Sequence, residues 1–171
     1  MKTNMRIFLS LFFSLFLSLT AFAVNNEKPV AQNFTATTLD GKTINLEDLR
    51  GKVVVLTFWS TRCPICEKEI PKFNQIADKY AGTDVVFLGL SMENEIKITE
   101  HLKKKPFKYT IIPNSLGIIM QYAERGENGS FNISYPSTFV INQKGEIELK
   151  TSGWDKSKAI DDQIAQLLNN K

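Results

Sequence analysis

The sequence predicts an α/β protein whose mixed β-sheet is covered by helices on both faces. Two continuous apolar runs, Val53–Trp59 and Val85–Leu90, have the β-branched composition of strands buried on both sides. A helical pattern separates them, and the chain ends with a hairpin signal and a last helix. Alternating strands and helices of this kind are typical of an α/β domain, and 171 residues fit a single one.

Turn residues and helical periodicity define the flanking elements. Asp40-Gly41 predicts a hairpin between Phe34–Thr38 and Thr43–Asn45. In the helix after the first buried strand, we expect Pro71 to introduce a kink and Gly82 to follow the end. Apolar residues recur in it at steps of four and three, which places on one face Cys66, Ile70, Phe73, Ala77 and Tyr80.

The rest of the chain is divided by glycine, proline and polar clusters. The segment Glu124–Phe131 is polar and contains two glycines, so we expect a loop there. The other expected elements are a helical turn at 46–50, helices at 93–104, 115–122 and 157–168, an extended piece at 109–112, and strands at 138–141 and 146–151 joined by a turn at 142–145.

The N-terminus has the composition of a secretory signal. Lys2 and Arg6 precede an apolar run, Ile7–Leu19, and the small residues of Ala21-Phe22-Ala23 follow it. We predict cleavage after Ala23, which makes 1–23 a signal peptide and 24–171 the folded domain. The alternative is an uncleaved membrane anchor over residues 7–24. Either outcome predicts a folded domain outside the cytoplasm, in the periplasm or an equivalent compartment.

The charge balance gives no reason to expect a nucleic-acid partner. The formal net charge is +3, and without Lys2 and Arg6 the chain has 19 basic and 18 acidic residues. The basic run at 103–105 is short and is typical of a solvated helix end.

Two cysteines, Cys63 and Cys66, form one C-x-x-C at a strand-to-helix junction. A disulfide between residues so close in sequence closes too small a loop to stabilise the fold much, and a structural zinc site would need more Cys or His ligands. The pattern therefore indicates redox chemistry. Free N–H groups and the helix dipole stabilise a thiolate at a helix start, and Arg62 adds a positive charge that lowers the pKa of Cys63 further. We therefore expect Cys63 to attack a substrate disulfide and Cys66 to resolve the mixed disulfide.

Several motifs resemble exported thioredoxin-like proteins of the TlpA/ResA type. The resemblance covers most of the chain after the signal, and its motifs are the lead-in 33–54, Phe58–Pro71 around the cysteines, Tyr135–Ile141, Gly145 and Gly153. It implies a thioredoxin fold with an added N-terminal β-hairpin. It also implies that Pro136 follows a cis bond, faces the C-x-x-C and binds substrate together with Tyr135 and Trp59. Arg62, next to Cys63, is a further candidate for substrate contact. Glu93 and Glu95 are candidates for proton transfer with Cys66.

This chain departs from the family pattern at three places. Arg62 replaces the tryptophan of many relatives, and Thr57 stands where thioredoxin has a buried acid. The segment between Tyr122 and Tyr135 is longer than usual, and we expect its loop to lie near the cis-proline and to influence substrate choice.

The function that the resemblance implies is a thiol:disulfide oxidoreductase of the cell envelope, acting as a reductase. Its expected partners are disulfide-containing envelope proteins and a membrane electron donor, with a role such as cytochrome c maturation. We expect a monomer that needs no cofactor and holds no metal.

Two other functions remain open from the sequence. A thiol peroxidase of the peroxiredoxin type would use a hydroxyl three residues before its cysteine, which Ser60 supplies, and a proline where this chain has Leu56. A copper chaperone would use both cysteines and His101, because thiolates suit Cu(I).

Overall fold

A computed structural model describes residues 27–170, so the predicted signal peptide and its cleavage site lie outside the described residues. The strands are β1 Thr35–Thr37, β2 Thr43–Asn45, β3 Val53–Phe58, β4 Val85–Leu90, β5 Thr110–Ile112, β6 Glu124–Arg125, β7 Phe131–Asn132, β8 Ser137–Ile141 and β9 Ile147–Ser152. The helices are α1 Pro64–Lys79, α2 Glu95–Leu102, α3 Leu116–Tyr122 and α4 Ser157–Asn169, with a 3₁₀ turn at Glu47–Leu49.

The central sheet is mixed and has the strand order β5-β4-β3-β8-β9. The β3, β4 and β5 strands run parallel, and β8 and β9 add antiparallel strands on the other side of β3. The β1–β2 hairpin forms a separate antiparallel pair. This arrangement confirms the predicted mixed sheet and N-terminal hairpin.

The β3 strand is buried along its whole length, which explains its uninterrupted apolar sequence. Its residues alternate between two cores. Val53 and Val55 pack with Phe73 of α1 and Ile160 of α4. On the opposite face, a second core covers the sheet with residues from the β1–β2 hairpin region and α3, including Phe34, Leu56, Phe58, Ile119 and Tyr122. Helices α1 and α4 thus cover one face of the central sheet, and the β1–β2 hairpin and α3 cover the other.

The expected loop at Glu124–Phe131 is right only for residues 126–130, because the residues on either side pair as the β6–β7 hairpin. The two glycines that suggested a loop make its tight turn. Gly129 has a φ of 77°, and the Gly126 N–H donates to the Ser130 carbonyl over 2.9 Å. Sequence signals for a loop and for a short exposed hairpin are nearly the same.

Two helices are of interest for their bounds. Helix α1 continues through Pro71 to Lys79. Helix α2 begins two residues later than expected because Asn94 caps it, with its side-chain oxygen accepting the Lys97 N–H over 3.0 Å. In residues 27–170, none of the helices has both the length and the apolar character that crossing a membrane requires.

Candidate active site

The two cysteines lie where β3 leads into α1. Cys63 is the N-cap residue of α1, Pro64 is its first residue, and Cys66 lies in its first turn. The two form a disulfide with a Cα–Cα distance of 5.2 Å. Cys66 is only 3% exposed, whereas Cys63 is half-buried, so an incoming group reaches the Cys63 sulfur first.

The backbone supplies the electrostatics that the sequence predicts at this helix start. The Cys63 Sγ accepts the N–H of Cys66 over 3.0 Å. Proline at the first helical position has no N–H to leave unpaired, so this geometry carries no penalty. After reduction, the same N–H and the helix dipole stabilise a thiolate on Cys63, which is the form that attacks disulfides.

The segment containing Pro136 lies beside the cysteines. The Tyr135–Pro136 bond is cis, which confirms the prediction. Phe58 pairs with Ser137 in the β3–β8 register, so the residues just after β3 and just before β8 meet at one edge of the sheet. Tyr135 packs against a cluster that contains Trp59 and Cys66. Pro136 and the disulfide therefore share one end of the molecule.

The side chain of Tyr135 is partly buried against apolar residues. Its hydroxyl is buried without a hydrogen-bond partner among residues 27–170. Burial raises the pKa of Tyr135, and the negative charge of Glu93 raises it further. The side chain therefore stays protonated near neutral pH.

Trp59 does not lie at the rim where we expected it to contact substrate. Its side chain is 1% exposed, with ring centroids 4.5 Å from Phe107 and 5.5 Å from His101. In the oxidised structure the buried Trp59 ring therefore packs in the same cluster as the two cysteines. Gly89 makes room for the ring, since a Cβ there would approach Trp59 Nε1 to 3.3 Å and Ile111 Cδ1 to 2.8 Å.

The contacts of Glu93 suit a residue that fixes the neighbouring backbone better than one that accepts the Cys66 proton, the role that we expected. Its carboxylate accepts the Thr61 N–H at 2.8 Å and hydroxyl hydrogen bonds from Thr61 at 2.6 Å and Ser91 at 3.0 Å, and it pairs with Lys97 at 3.3 Å. Partial burial would raise the pKa of Glu93, but these contacts outweigh it and lower the pKa to about 2.

The other acidic candidate, Glu95, is exposed in the first turn of α2 and accepts a hydrogen bond from the Asn114 amide over 3.2 Å. Its described contacts lie on the α2–α3 side and do not include either cysteine.

Glu69 is a buried acid that the sequence analysis missed. It lies three residues after Cys66 in α1 and is 2% exposed. One carboxylate oxygen pairs with Lys72 at 3.2 Å, and the other has no hydrogen-bond partner among the described residues. Residues three apart are neighbours on a helix surface, so Glu69 lies one turn from the buried sulfur. Its position among the apolar residues Cys66, Ile70 and Phe73 could have identified it.

The side chains of Ser60 and His101, the residues that a peroxidase and a copper chaperone would use, contact residues other than the cysteines. The Ser60 hydroxyl donates to Glu93 over 3.3 Å and accepts the Arg62 N–H over 3.2 Å. His101 packs against the Trp59 ring. In the described part of the chain, no three His, Cys, Asp or Glu side chains are grouped so that they could hold a metal ion.

Comparison with known proteins identifies the family. Residues 28–150 match the AhpC/TSA family, so the chain belongs to it. The thiol-disulfide oxidoreductase ResA of Bacillus cereus is 35% identical over 126 residues, which cover 72% of this chain and 68% of ResA.

Two solved structures are similar to this chain. StoA of Bacillus subtilis has a TM-score of 0.62 at 25% identity, covering 78% of this chain and 96% of StoA. A thioredoxin-family thiol:disulfide interchange protein of Chlorobium tepidum has a TM-score of 0.71 at 23% identity, covering 84% and 99%. The fold is that of thioredoxin, and the chain is a thiol-disulfide oxidoreductase.

Proposed function

We propose that this protein is an exported reductase of protein disulfides. The observation that carries the proposal is the asymmetry of the cysteine pair, with an accessible Cys63 at the helix start and a buried Cys66 behind it. The cis-proline segment beside the pair supplies a surface on which an extended substrate chain can lie. The kinship with ResA supports protein disulfides as the substrate class.

The reaction proceeds in two exchanges. The Cys63 thiolate attacks one sulfur of the substrate disulfide, forms a mixed disulfide and releases the other substrate sulfur as a thiolate. The Cys66 thiolate then attacks the Cys63 sulfur and releases the second substrate thiol. Glu69 is the buried acid one turn away, and we assign it to accept the Cys66 proton. Two electrons leave the cysteine pair, which becomes the disulfide of this structure.

Two features of the sequence around the pair bear on the proposed direction, and they act in opposite senses. The two residues between the cysteines, Pro64 and Ile65, bring no polar side chain that would stabilise a thiolate, which favours a reducing pair. The Arg62 charge acts in the opposite sense. A reductase outside the cytoplasm needs a supply of electrons, so we expect a membrane donor of thiol equivalents. The chain is proposed to work there as a monomer, delivered by the N-terminal signal.

The deciding experiment is the reduction potential of the Cys63–Cys66 pair, measured by equilibration of the mature protein with dithiothreitol or glutathione. We expect a value near that of thioredoxin, about −270 mV. The Cys63→Ser variant is the control, because its single remaining thiol cannot form the pair. A value near −120 mV, that of a strong envelope oxidant, would overturn the reductase direction and assign disulfide formation instead.

A further inference from the structure

An exposed tryptophan lies close to the proposed active site. Trp154 is in the loop between β9 and α4 and is 48% exposed. The residue before it, Gly153, donates its N–H to the carbonyl of Pro136 over 2.9 Å. The loop is therefore attached directly to the cis-proline, and its tryptophan lies at the edge of the surface where a substrate chain would pass.

Two lysines of α1, the helix that carries Cys66, make cation–π contacts with the Trp154 ring. The Nζ atoms of Lys72 and Lys68 lie 4.9 Å and 5.4 Å from the ring centroid. Residues 65, 68 and 72 follow one flank of α1, so Ile65, which is 38% exposed, extends the same surface toward Cys63. The ring is thus an exposed apolar surface on the flank of α1 that leads toward Cys63.

The charges on this surface are not balanced. Lys72 pairs with Asp155 at 2.8 Å and with Glu69 at 3.2 Å, so its charge is opposed. Lys68 and Arg62 form no ion pair within residues 27–170. The nearby Glu67 is on the other flank of α1 and is paired with Lys105 at 3.1 Å. Lys68, which lies over the exposed Trp154 ring, and Arg62, which precedes Cys63, are therefore two unopposed cations on the segment that carries the cysteines.

We propose that Trp154, Lys68 and Arg62 form a docking surface for substrate segments that carry an acidic side chain near the cysteine. This inference rests on the proposed function and adds the class of substrate. The ring supplies apolar contact area, as tryptophan does at the centre of many protein interfaces, and the cations select a carboxylate by charge.

The test uses two disulfide-linked peptides that differ only in having Glu or Lys beside the cysteine. The reduced protein donates two electrons to the peptide disulfide, which gives two peptide thiols and the Cys63–Cys66 disulfide. Each rate is divided by the rate of the same peptide with dithiothreitol, which removes the effect of the flanking charge on the peptide itself. We expect the Glu peptide to react about fivefold faster at low salt, with the preference fading near 0.5 M salt.

Matched variants assign the preference to this surface. Lys68→Glu should abolish or invert it, and Trp154→Ala should slow both peptides by about threefold or more. Lys52→Glu makes the same charge change at the far end of β3 and should keep the preference.

Equal normalised rates for the two peptides, or a preference that survives in Lys68→Glu, would overturn the docking surface. If neither peptide is reduced by the wild-type protein, the proposed function fails instead, so the two failures are distinguishable.

Discussion

Glu93 connects the chain before the active-site disulfide to the turn after β4. Ser60 and Thr61, just before Cys63, donate hydrogen bonds to its carboxylate, and so does Ser91. Its own carbonyl accepts the Asn114 N–H over 2.9 Å, which extends the connection toward α3. A single side chain thereby fixes the backbone that precedes the attacking sulfur.

We predict that Glu93→Gln destabilises the protein in a pH-dependent manner. The pKa of Glu93 is about 2 in the fold and about 4.5 in the unfolded chain. The lowered pKa means that its contribution is complete above pH 4.5 and is lost as the pH falls toward 2. The shift corresponds to at most about 3 kcal/mol at neutral pH. Urea unfolding of both proteins should give a large stability difference at pH 7 and a small one at pH 2.5.

The matched control for this prediction is Glu95→Gln, which changes an exposed acid two residues away. It should alter stability by less than about 0.5 kcal/mol at either pH. A Glu93→Gln difference that stays constant from pH 7 to pH 2.5 would contradict the anchoring role.

The position of Cys63 and Cys66 at a helix start was predicted from a short local motif, whereas the cis bond before Pro136 was predicted only from the resemblance to a known family. Sequence reasoning misplaced Trp59 and assigned Glu93 a different task, since both depend on partners distant in sequence. Trp59 is covered by Phe107 and His101, and Glu93 bonds a residue 32 positions earlier. Such contacts are set by how strands and helices pack, and no pattern near either residue encodes them.

At the scale of elements, the β6–β7 hairpin is the feature that the sequence described least well. Glu124 pairs with Lys150 of β9 over 2.7 Å, and the Arg125 guanidinium lies 5.5 Å from the exposed Phe131 ring. Residues of the hairpin, α3, β8 and β9 line a small pocket of about 50 Å³ that also includes Ser134. The hairpin thus borders the cis-proline segment.

We predict that deleting Gly126–Ser130 changes the choice among protein substrates. The deletion removes the turn of the hairpin and leaves the cysteine pair and α1 intact, so the chemistry of the pair is preserved. Rates with two unrelated protein disulfides should change by different factors, while the rate with a small dithiol should stay within about twofold of wild type. Equal effects on the small dithiol and on both proteins would contradict a role in selectivity.

The strands and helices that build the core were predictable where their residues are buried on both faces or repeat at helical spacing. β3, β4 and β8 are short apolar runs, and the stripe on α1 matches its buried face. The strand order was not predictable in the same way, because pairing of β3 with β8 joins segments about eighty residues apart.

For the molecule as a whole, the redox state of the pair and the stability of the fold are linked. The folded protein prefers the disulfide over the dithiol to the extent that its reduction potential lies below that of the unfolded chain. A difference of 30 mV corresponds to about 1.4 kcal/mol of stability. For a reductase, the oxidised protein must therefore be more stable than the reduced one, and for a strong oxidant the order is reversed.

We predict that urea unfolding gives a higher midpoint for the oxidised protein than for the protein held in dithiothreitol, and that Arg62→Gln widens this gap. Removing the Arg62 charge takes away stabilisation of the Cys63 thiolate, which weakens only the reduced fold. Because Arg62 is exposed, the expected increase is roughly 0.5 to 1 kcal/mol, matched by a potential that is about 10 to 20 mV more negative. Lys52→Gln, far from the pair, should change neither quantity.

A reduced protein that is more stable than the oxidised one would reverse the proposed direction of electron flow. A gap unaffected by Arg62→Gln would show that the helix start alone sets the potential.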